Sequence, residues 1–119
     1  MKKNVVLEKS AAFSIRVVNL YKHLTNRKHE YVMANQIKRS GTSIGANICE
    51  SQNAQSRADF IHKLNIALKE TDETVYWLTL LKNTKYLTEM EYDSMKRDAE
   101  ELRRILTSII KTSKSRTTI

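Results

Sequence analysis

The sequence predicts an all-α protein, an antiparallel up-down-up-down four-helix bundle, and three observations predict it. The chain has no proline and only two glycines, Gly41 and Gly45, so it lacks the residues with which β-rich folds make tight turns. Apolar residues recur at spacings of three and four in four separate stretches, the period of an amphipathic helix. The links between the stretches are short and polar, and short links make successive helices antiparallel neighbours. At 119 residues the chain has room for a single domain, residues 1–119, around one core.

The first helix is expected over residues 8–26, with Phe13, Val17, Leu20 and Leu24 on one stripe and a second set, Ala11, Ile15 and Val18, on another face. A polar turn near Asn26 to His29 leads into a second helix over 30–53, whose stripe is Met33, Ile37, Ser40, Ile44, Asn47, Ile48 and Ser51. The third, over 57–85, starts after Ser56, which forms a shortened relative of the capping box with Asp59. It aligns Phe60, Leu64, Ala67, Thr71, Val75 and Leu78. The fourth, over 88–112, opens on a T-x-x-E capping box, Thr88 and Glu91, and carries Met95, Ala99, Leu102, Leu106 and Ile109. Residues 113–119 lack apolar periodicity and are expected to fray as a basic tail.

Four positions on the second helix bear on packing. Gly41 and Gly45 form G-x-x-x-G, and with Cys49 they place small side chains on one line, so that another helix backbone can approach closely. The alternative is a hinge, since each glycine costs about 1 kcal/mol of helix propensity. Cys49, the only cysteine, has no internal disulfide partner and is expected to be a small buried hydrophobe. Asn47 lies within the apolar stripe, where a buried amide needs a partner and a core hydrogen bond would set helix register.

On the third helix Ile66, Trp77, Leu80 and Leu81 fall away from the core stripe, interleaved with Glu70 and Glu73. A large aromatic on an outer face points to a subunit interface anchored by Trp77. The alternative places Trp77 at the edge of the intrachain core, under a neighbouring helix.

No catalytic constellation is present in the sequence. His23, His29 and His62 lie on separate elements, there is no H-E-x-x-H, C-x-x-C or P-loop, and no Glu has a His three residues on, as di-iron bundles require. Carboxylate pairs such as Glu70 with Glu73 or Glu100 with Glu101 read as solvated charges on polar helix faces. The expectation is a protein with no enzymatic activity, cofactor or metal. Near the N-terminus the apolar run is limited to Val5, Val6 and Leu7, too short for a signal peptide or membrane span, which predicts a soluble, cytoplasmic protein with no membrane partner.

The net charge of +8 favours acidic partners, nucleic acid above all. The first 28 residues hold seven Lys or Arg against Glu8 alone. Lys9, Arg16, His23 and Arg27 share a face of the first helix. On the fourth, Arg97, Arg104 and Lys111 recur every seven residues, flanked by Lys96 and Arg103, a stripe able to track a phosphate backbone. Asp93 and Glu100 stand four residues before Arg97 and Arg104, which also describes an ordinary solvated face. Without an aromatic platform, binding would be electrostatic and shape-led. Two function classes therefore stand: a binder of structured nucleic acid, RNA favoured, and an interaction scaffold or accessory subunit whose partner is another protein.

The motif R-S-G-T-S-I-G-A-N-I-x-E at Arg39 to Glu50, followed by Ser56, Phe60, Leu64, Ala67, Leu68, Glu70, Tyr76, Trp77 and Leu78, resembles a bacterial family of four-helix bundle proteins. These were first noticed as reading frames inside intervening sequences of the large-subunit ribosomal RNA gene, and are sometimes labelled ribosomal proteins. The resemblance covers nearly the whole chain. Many relatives have proline where this chain has Gly45 and a small residue such as Ala at Cys49, departures that bear on the geometry of the second helix. The resemblance implies a ring-shaped homopentamer, similar to the accessory protein of diversity-generating retroelements, a basic barrel that binds nucleic acid and a reverse transcriptase. It implies no established activity and no place in the ribosome.

Overall fold

The computed structural model describes residues 4–116 and contains four helices, α1 (Val5–Asn26), α2 (Val32–Ser51), α3 (Arg57–Asn83) and α4 (Glu89–Ser115). Successive helices pack together and α1 closes the bundle against α4, the most sparsely packed of the four seams; among the described residues neither diagonal pair packs together. Cross-helix bonds fix the antiparallel order. The start of α1 meets the end of α2 where Asn4 Nδ2 donates to Gln52 Oε1 at 2.8 Å. Lys9 near the start of α1 reaches Glu101 at the middle of α4, while Arg16, further along α1, reaches the earlier Asp98.

Each helix begins where a side chain can satisfy its free N–H groups. Asn4 accepts from Leu7 N and starts α1 three residues before the expected boundary. Ser56 accepts from Asp59 N, while the Asp59 carboxylate reaches back one residue further, to Gln55 N. Thr88 and Glu91 form the complete capping box. The second helix starts two residues later than expected, with Ala34 N donating to the Glu30 carboxylate. At the far end α4 stays helical to Ser115, so residues 113–115 belong to the helix and not to a frayed tail; residues 117–119 lie outside the described part.

The core is built from alternating three- and four-residue steps on every helix, the seam of a coiled-coil-like bundle. Val6, Ser10, Phe13, Val17 and Leu24 are buried on α1, and Ala34, Ile37, Gly41, Ile44, Ile48 and Ser51 on α2. Leu64, Ala67, Thr71, Thr74, Leu78 and Leu81 continue the seam on α3, and Tyr92, Met95, Ala99, Leu102 and Leu106 on α4. The threonines are satisfied locally: Thr71 donates to the Ala67 carbonyl at 2.8 Å and Thr74 to the Glu70 carbonyl at 2.7 Å. Thr74 Oγ1 also meets Ser40 Oγ at 3.0 Å, so the buried polar contact across α2 and α3 is hydroxyl to hydroxyl.

Three expectations are corrected by this seam. Leu81, expected on the outer interface, is fully buried because it lies three residues after Leu78 in the core register; Thr74, rather than the half-buried Val75, is the residue before them in the row. Cys49, expected to be buried, is exposed. Each four-residue step turns a helix about 40° beyond a full turn, so the line from Gly41 through Gly45 drifts off the core face by Cys49. Asn47 is only half-buried, and its amide donates to the Ser43 carbonyl of its own helix at 2.8 Å, so it sets no cross-helix register. The second α1 set keeps to its own face outside the core: Ala11 and Ile15 are exposed and Val18 is half-buried.

Gly41 and Gly45 lie against α1. A Cβ on Gly41 would sit 2.7 and 2.8 Å from the two Val17 methyls, and one on Gly45 would sit 3.1 Å from Ser14 Oγ and 3.5 Å from the Ser10 carbonyl oxygen. The absence of side chains there lets α1 settle on α2, and α2 runs through both positions without a break.

Candidate nucleic-acid interface

The bundle sorts the candidate cations into paired and unpaired groups. On α1, Lys9 reaches Glu101 at 3.2 Å. Arg16 bonds Asp98 at 2.5 Å and Ser94 Oγ at 2.9 Å. Both residues cross the α1–α4 seam, because antiparallel packing lays the basic side of α1 along the acids of α4. Arg103 donates to Asp72 of α3 at 2.8 Å, and that bond, with the charge of Asp72, holds its guanidinium protonated above the usual arginine value. Lys96 lies 5.5 Å above the Tyr92 ring, whose other neighbour is Lys82 at 4.3 Å.

Arg27, Arg97, Arg104 and Lys111 are exposed, and among the described residues none of them forms an ion pair. The i,i+4 pairings of Asp93 with Arg97 and Glu100 with Arg104 do not close. Charge collects in the second half of α4, where residues 102–116 carry Arg103, Arg104, Lys111, Lys114 and Arg116 and no acid. A shallow depression there is lined by Arg103, Arg104, Thr107, Ser108 and Lys111. A second, at the helix end, brings Arg57 of α3 beside Ser113 and Arg116. Arg57 is missing from the sequence-derived set; the acid-free run of α4 was legible in the sequence, but its neighbour from α3 was not.

The candidate interface residues of α3 divide. Ile66, Trp77 and Leu80 are half-buried, and Trp77 packs against the core rim, where its indole donates to Glu73 Oε2 at 3.0 Å. Tyr76 beside it is 58% exposed and meets Trp77 edge-on, with centroids 4.9 Å apart. Arg39 of α2 binds Glu70 at 3.1 Å and also Glu73, so Trp77 is tied through Glu73 into a polar network spanning α2 and α3. The Trp77 hydrogen bond, followed by Arg39, holds the Glu73 carboxyl below its ordinary value of 4.5.

Between α1 and α4 a cleft of about 430 Å³ is floored by Leu20 and Met95, with Arg16, His23, Met90 and Glu91 at its rim. Among the described residues no group of three or more His, Cys, Asp or Glu is placed to hold a metal ion, and no helix is long and apolar enough to cross a membrane.

The fold and surface define a basic antiparallel four-helix bundle with a coiled-coil-like core and cross-helix ion pairs along its flanks. The chain belongs to the 23S rRNA-intervening sequence protein family, whose model matches residues 2–108. It is similar to a protein of unknown function from the S23 ribosomal protein family of Bacteroides thetaiotaomicron, known from a crystal structure, with 59% identity and a TM-score of 0.88. The match covers 89% of this chain and 98% of that one. No curated protein matches the chain.

Proposed function

We propose that the protein is a non-enzymatic, homo-oligomeric bundle of the cytoplasm that binds structured RNA through its basic surface. The observation that carries this reading is the acid-free run of five cations over residues 102–116, with Arg104 and Lys111 exposed and unpaired beside the hydroxyl of Ser108. Such a surface suits phosphates, which are held by charge and by hydroxyl donors without reading sequence. The outward Ile15 and Tyr76 and the half-buried Ile66, Trp77 and Leu80 supply apolar area for contact between copies, as the ring of five implied by the family resemblance requires. Repeating the basic patch around a ring would make a weak monomer site effective through avidity.

Fluorescence anisotropy with a structured RNA and a duplex DNA across a salt series, with light scattering on the same sample, tests the proposal. Saturable binding that weakens steeply with salt is expected. The double variant Arg104→Glu/Lys111→Glu should bind about tenfold or more weakly, with a salt slope shallower by about one unit for each phosphate no longer neutralised. Unchanged affinity in that variant would remove the α4 site. No binding at low salt by an intact oligomer would favour a protein-binding scaffold, for which the exposed Tyr76 beside the anchored Trp77 is the best-formed surface.

A further inference from the structure

The positive charge is not spread evenly along the rod. Residues 22–29, which end α1 and form its turn into α2, carry Lys22, Arg27 and Lys28 with His23 and His29 and no acid, and all of these side chains are exposed. Because α1 and α4 are antiparallel, this knuckle lies at the opposite end of the bundle from residues 104–116. Lys85, at φ 72° in the α3–α4 turn, projects from the same end as the knuckle, since the up-down order brings those two turns together.

Three of the four carboxylates at this end have a local partner. Glu30 accepts from Ala34 N at 2.9 Å, Glu91 closes the α4 capping box within the field of His23 and Lys28, and Glu89 faces Lys82 at 3.7 Å. The exposed Asp93 forms no ion pair among the described residues. Between the two ends the flanks are neutralised by the pairs of Lys9, Arg16 and Arg39 with acids of neighbouring helices. Arg103, at the inner edge of the α4 run, is itself paired with Asp72, which leaves residues 104–116 as the α4 pole. The molecule is 52 Å long, several times the Debye length of about 8 Å at physiological salt, so each end presents its own field.

We infer that the bundle has two polyanion-binding poles, the α1–α2 knuckle and the second half of α4, and that it bridges two separate duplex segments of RNA. The inference rests on the RNA-binding reading above and extends it: a rod that is positive at both ends and neutral between engages one segment at each end in preference to lying along a single duplex.

A capture assay tests it. One short biotinylated RNA duplex is fixed to beads, the full-length protein is added, and retention of a second, fluorescent duplex is measured. Anisotropy with a single duplex and light scattering are recorded for every variant. Wild-type protein should retain the second duplex. Arg27→Glu/Lys28→Glu, at exposed turn positions, should still bind a single duplex through α4 while retention falls about tenfold or more. Retention at the wild-type level by this variant, at unchanged oligomer size, would overturn the knuckle pole and assign bridging to repeated α4 patches. Wild-type protein that binds one duplex and never retains a second would overturn bridging alone. Wild-type protein that binds neither would overturn the RNA reading, and the inference with it.

Discussion

At the scale of single residues, tertiary partners decide what a charge does. Arg16 and Arg27 share a helix face in the sequence, yet Arg16 is held by Asp98 and Ser94 while Arg27 forms no ion pair among the described residues. Trp77 shows the same dependence. Its indole hydrogen bond to Glu73 gives the only tryptophan a titratable neighbour. The folded-state carboxyl of Glu73 lies below 4.5, so its stabilising contribution is present above the unfolded-state value and is lost as pH falls through the folded one. Tryptophan emission should therefore change in a step with its midpoint below pH 4.5, while far-UV circular dichroism remains helical, and Glu73→Gln should abolish that step. A midpoint at or above the ordinary carboxylate value would contradict the hydrogen-bonded geometry.

At the scale of elements, the helices were legible because their caps and periods are local. Thr88 with Glu91 and Ser56 with Asp59 mark the starts of α4 and α3 within a few residues of sequence. The ends were harder to read, because the chain turns at residues that lack the usual signal. His29 and Lys85 adopt positive φ, where glycine is the common choice, and the α3 end is closed by Tyr86 N donating to the Leu81 carbonyl at 2.9 Å. The α1–α2 contact gives a sharper test. Gly41→Ala gains about 1 kcal/mol of helix propensity but drives a methyl into Val17, a stiff β-branched side chain in the core, and overpacking of this kind costs about 1–3 kcal/mol. A net loss of about 1 kcal/mol is expected in urea denaturation. Gly45→Ala, which meets only the rotatable Ser14 hydroxyl at close range, should be neutral or stabilising by up to about 1 kcal/mol. Equal effects at the two sites would mean that Val17 does not sit over Gly41.

At the scale of the whole molecule, antiparallel closure of α1 on α4 turns two candidate nucleic-acid ligands, Lys9 and Arg16, into structural groups. Arg16→Gln should lower stability by about 0.5–1 kcal/mol, as expected for a part-exposed ion pair. It should leave RNA affinity within about twofold, whereas removing a true phosphate ligand would also lower the salt slope by about one. A stability curve that is unmoved together with a shallower salt slope would return Arg16 to the binding surface. The sequence by itself determined the all-α class, four helices, their order, most of the core and the total charge, because helical period, capping and composition are properties of short stretches. Only the tertiary structure decided which face of α3 holds Leu81, why Cys49 is exposed, which cations are neutralised and where the unneutralised ones collect. Those outcomes depend on residues dozens of positions apart, such as Arg16 with Asp98 and Arg103 with Asp72, and no local pattern places such partners side by side until the helices have packed.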